Sequence, residues 1–103
     1  MSGTIMLSKQ KTFDVRTVDF NFIVNILRNK VGDTEFGKGL LETIDVFGMN
    51  MICVDELDAN GLNKFDGFLK ELAASLEKEN KGLSKFLAAV CAEIELDERV
   101  LSR

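Results

Sequence analysis

From Asp58 to Leu96 the apolar residues recur at intervals of three and four, and the rhythm breaks only once, at Asn80-Lys81-Gly82. The spacing predicts two amphipathic helices. The first runs from Asp58 or Asn60 to about Lys78 and carries Leu62, Phe65, Leu69, Leu72 and Leu76 on one face, with Phe68 and Ala73 beside them. The second runs from Leu83 to about Leu96 with Leu83, Phe86, Leu87, Val90, Cys91 and Ile94. A turn this short should fold the two back as an antiparallel hairpin.

Two further helical patterns precede it. Asp19 is a good N-cap for a helix to about Val31, whose stripe is Phe20, Ile23, Val24, Leu27 and Val31, widened by Phe22 and Ile26. Gly32 would close it, since glycine takes a left-handed C-cap at little cost. Asp33 or Thr34 opens the next, with Phe36, Leu40, Leu41, Ile44 and Phe47 in helical spacing up to Gly48. Gly37 and Gly39 weaken its first turn unless tight packing requires them. Met49 to Val54 reads equally as a short buried strand or as more helix, because a short apolar run has no diagnostic period. Between Thr4 and Val15, alternating Ile5, Leu7, Phe13 and Val15 suit a small hairpin or an extended lead-in. The expectation is a mainly α, compact four-helix domain: one domain over residues 1–103, the C-terminal helix hairpin packed on two N-terminal helices. Residues 1–12 form the lead-in or a small N-terminal β element.

Composition narrows the chemistry. A chain of 103 residues can bury a core without metal or disulfide, and 46% apolar with 29% charged residues is globular composition. Histidine is absent, and Cys53 and Cys91 are the only cysteines, each inside an apolar run. They read as small buried hydrophobes in a reducing cytoplasm, one disulfide being the alternative. Zinc sites lack ligands, and serine or cysteine nucleophiles lack their usual base. The glycines fit no phosphate-cradling signature.

Glu56, Asp58, Asn60 and Gly61 match positions one, three, five and six of a calcium loop. Position twelve is Gly67, however, where a bidentate glutamate is required. The paired carboxylates Asp55/Glu56 and Glu93/Glu95/Asp97/Glu98 cluster at helix ends, where solvent keeps them ionised. No enzyme activity, metal or cofactor is expected. No apolar stretch approaches a membrane span, and Met1 to Leu7 lacks the basic start of a secretory signal, so a cytoplasmic location is expected.

Seventeen acidic against thirteen basic side chains give a net charge of -4, which repels nucleic acid and favours a basic protein. The first expectation is a small acidic protein that docks on a basic partner and blocks it, in the manner of immunity and antitoxin proteins. Asp55, Glu56, Asp58 and Asp66 would steer the encounter, and Phe68 or Met51 would anchor it. Phe22 and Met49 would extend a partly exposed patch with them. The alternative is a structural or scaffolding subunit, a homodimer whose broad apolar first helix is completed across the interface.

Overall fold

The computed structural model describes residues 3–101. The chain forms two compact units, residues 1–56 and 57–103. It is mostly helical, with a small sheet at the N-terminal end.

In the first unit β1 (Gly3–Ser8) and β2 (Lys11–Val15) form an antiparallel hairpin in register Ile5 to Phe13. The Ser8 hydroxyl holds the turn by accepting from the Lys11 amide at 3.2 Å. β1 alternates buried Ile5 and Leu7 with half-buried Thr4 and Met6, the period-two pattern of a strand with one covered face. The chain then runs through α1 (Thr17–Val31) and α2 (Glu35–Asp45) and returns as β3 (Met51–Cys53), parallel to β1. The sheet order is β2-β1-β3. Within Met49 to Val54 the strand is thus Met51–Cys53, with Ile52 paired to Ile5.

Several details differ from expectation. α1 begins at Thr17 after Arg16, and Asp19 lies within the first turn, its carboxylate 3.1 Å from Arg16. Gly32 is right-handed, with φ −59°. No left-handed cap is needed there, because the Thr34 amide donates to the Val31 carbonyl at 3.0 Å and the Thr34 hydroxyl caps α2 through the Gly37 amide. The tight α1–α2 corner has a second consequence: a side chain on Gly37 would collide with the Val31 carbonyl, whereas Gly39 has open space. α2 stops at Asp45, and the left-handed residue after it is Gly48, with φ 66°. Phe47 therefore leaves the helical stripe and is 65% exposed, with Val46 and Met49 exposed beside it.

The second unit contains α3 (Ala59–Leu76), α4 (Lys81–Glu95) and the short α5 (Glu98–Leu101). Asp58 caps α3 through the Gly61 amide at 2.7 Å. Asn80 breaks the first helix by capping the next: its side chain accepts from the Leu83 amide at 3.1 Å, so Gly82 lies inside α4. α3 and α4 run antiparallel, as expected. The Ser84 hydroxyl donates to the Ala73 carbonyl at 2.7 Å near the turn, and Cys91 lies opposite the Asp66 carbonyl near the far end. α5 is an unanticipated addition, so the helices number five among the described residues.

Candidate functional site

The antiparallel hairpin brings the start of α3 and the end of α4 to one end of the second unit. That end is acidic. Asp58 is exposed at the start of α3, Asp66 lies further along it, and Glu95, Asp97 and Glu98 lie where α4 gives way to α5. Two cations are held inside the cluster. Lys70 lies 2.9 Å from Asp66 and 2.7 Å from Glu95, tying α3 to α4, and both carboxylates hold its ammonium above the usual lysine range. Arg99 turns its guanidinium back on Asp97, with Nε 2.8 Å and Nη2 3.0 Å from the two carboxylate oxygens, and donates from Nη1 to the Leu57 carbonyl at 2.7 Å. This fork fastens α5 to the lead-in of α3.

The opposite end of the hairpin carries exposed Lys78, Lys81 and Lys85 around Glu77 and Glu79, with an open cleft of about 360 Å³ beside Ser84 and Ala88. The unit is therefore electrostatically polar along its length.

In the first unit a cleft of about 490 Å³ is lined by Arg28, Asp33, Lys38, Glu42, Asp45 and Val46. Arg28 donates from Nη1 to Asp45 at 2.9 Å in a two-pronged pair. The guanidinium hydrogen bonds hold the Asp45 carboxyl below its usual range. A general acid needs the reverse shift.

The six residues singled out from the sequence fall in different environments. Glu56 and Asp58 are exposed, while Asp55 and Met51 are half-buried. Asp66 keeps only 13% of its side chain exposed and is engaged by Lys70, its second carboxylate oxygen buried without a partner. Phe68 is 8% exposed, which corrects the expectation that it lies on a partly exposed patch; Phe22 and Met49 are exposed as expected. What sequence reasoning missed is the apolar part of the acidic end. Leu96 is 61% and Leu101 65% exposed, flanking Asp97 across the α4–α5 turn. Leu96 reads in sequence as the approximate end of the last helix, beyond its apolar stripe, and nothing announces α5.

Both cysteines are free thiols, Cys53 half-buried and Cys91 buried. Burial first, then the hydrogen bond and negative charge of Asp66, push the Cys91 thiol up to about 12 from a usual value of 9. The native state thus keeps its proton where the unfolded chain loses it. Stability should be full below about pH 9 and fall as pH rises from there toward 12. Urea unfolding at pH 8, 9.5 and 10.5 should show that decline, and Cys91→Ala should flatten it. At pH 8 Cys91 should resist alkylation in the folded protein.

No helix among the described residues is long and apolar enough to cross a membrane, and among them no cluster of three potential metal ligands occurs. The sequence matches no protein-family model and no curated protein. In three dimensions the chain is similar to a chain in the solved structure of a CdiA-CT toxin from Burkholderia pseudomallei E479 in complex with its cognate CdiI immunity protein. What the two chains share is the fold. The TM-score is 0.82 at 20% sequence identity, over 95% of this chain and 98% of the other.

Proposed function

We propose that this chain is a cytoplasmic immunity-type protein that binds a basic toxin and neutralises it by occupation, without catalysis of its own. The observation that carries this reading is the likeness in fold, over nearly the full length of both chains, to a component of a toxin–immunity complex. The net charge of -4 and the absence of histidine favour the immunity side of such a pair. An inhibitor needs a preorganised surface and a complementary field, whereas a toxin acting on a biopolymer needs a reactive group.

Glu56 and Asp58 are exposed for electrostatic steering, and Asp55 and Met51 are half-buried. Asp66 contributes through the field it shares with Lys70, and Phe68 serves by packing.

The test is capture from the source cell's extract by the tagged protein at low and high salt. A basic protein retained at low salt and shed at high salt is the expected result. Recovery of the protein alone would contradict the reading. It would favour the homodimer instead, for which exposed Val18 and Phe22 on α1 offer a face.

A further inference from the structure

α5 has no fully buried residue, and its one partly covered apolar side chain is the half-buried Val100, so much of its hold on the unit is polar. Arg99 supplies that hold: its amide, Nε and Nη2 donate to the Asp97 carboxylate on one side, and Nη1 donates to the Leu57 carbonyl on the other. The product of this clamp is a fixed orientation for the solvent-facing residues around it. Leu96 immediately precedes Asp97, and the Leu101 amide donates to the Asp97 carbonyl at 3.0 Å, one helical turn further on. Two leucines, each more than half exposed, thereby stand before and after Asp97 at a tethered corner. Scattered surface leucines are ordinary; a pair held by a dedicated guanidinium fork is a preorganised apolar contact.

The surroundings define what can cover it. Glu95 immediately precedes Leu96, Glu98 lies between the two leucines in sequence, and Asp58 caps α3. The nearby cations Lys70 and Arg99 are already engaged by carboxylates of the same unit. An apolar side chain arriving with lysine or arginine beside it would bury the leucines and neutralise the rim. An acidic segment would meet like charge.

We propose that the α4–α5 corner, with Leu96 and Leu101 as apolar anchors and Glu95, Glu98 and Asp58 as its rim, is the docking surface for a basic segment of the partner protein. This rests on the reading of the chain as a protein that binds and neutralises a basic partner. It goes further by assigning the apolar anchors to Leu96 and Leu101 in place of Met51 and Phe68.

The test uses the partner recovered by the wild-type protein, purified and titrated by calorimetry against wild-type and variant full chains. The Leu96→Ala/Leu101→Ala double variant should bind at least about tenfold more weakly, as loss of central anchors does. Glu98→Lys should weaken binding at low salt and flatten its salt dependence. Lys85→Glu, at the opposite end of the hairpin, should change affinity by less than about twofold, since charges remote from an interface are screened. Melting curves like that of wild type exclude unfolding as the cause, because none of these side chains is buried. A partner that binds the double variant and Glu98→Lys as tightly as wild type would overturn the docking surface while leaving the proposed function standing. Failure of the wild-type chain to retain any basic protein would overturn both.

Discussion

Gly37→Ala is expected to destabilise the protein strongly, although alanine is the better helix former. Gly37 lies in the first turn of α2, where an ordinary exposed helix position would gain up to about 1 kcal/mol from the change. Here the added methyl group would enter the space of the Val31 carbonyl, backbone against backbone, in a corner fixed by the Thr34 cap. Neither partner is a flexible side chain that can swing away. Relief requires α1 and α2 to separate, at the expense of Leu40 and Leu41, both buried. A loss of about 2–4 kcal/mol is expected, the range of overpacked or strained core sites. Gly39, two residues on, meets nothing, so Gly39→Ala should be neutral or stabilising by up to about 1 kcal/mol. Urea unfolding of the two variants checks the pair. Equal effects would show that the corner yields.

Phe68→Ala against Phe47→Ala is the second large contrast. Phe68 is nearly as buried as Phe65, and its truncation should cost about 3–5 kcal/mol through lost burial and the cavity left behind. Phe47, exposed on the Val46-Phe47-Gly48-Met49 turn, should change stability by less than about 0.5 kcal/mol. Thermal or urea unfolding distinguishes them. A mild Phe68 variant would reopen the expectation that this side chain faces a partner.

These two phenylalanines also show where the sequence is legible. α3 and α4 could be read directly because their apolar period is unbroken and each has a capping side chain, Asp58 or Asn80, at its start. Phe68 looked peripheral because it lies off the Leu62–Phe65–Leu69–Leu72 line. Yet it is three residues from Phe65 and four from Leu72, so a broader covered arc takes it in. Phe47 fits the α2 period only if the helix continues. Nothing local in the sequence shows that it stops at Asp45.

β3 is a three-residue strand, too short for period two to declare itself, and its partner β1 lies more than forty residues earlier. Such a pairing is decided by the fold and not by local preference. The acidic end was half legible. Its carboxylates are visible as runs at Asp55–Asp58 and Glu93–Glu98, but only the antiparallel return of α4 brings members of the two runs together. The α4–α5 corner that carries Leu96 and Leu101 is fastened by an Arg99 fork that no sequence pattern announces.

The most direct test of the central claim is growth. The basic protein captured by this chain would be produced from an inducible promoter in cells that either contain or lack the chain. Arrest on induction of the captured protein alone, relieved by co-production of wild-type chain, is the result expected of an immunity-type inhibitor. A captured protein that does not impair growth, or an arrest that the chain leaves unrelieved despite binding, would contradict it.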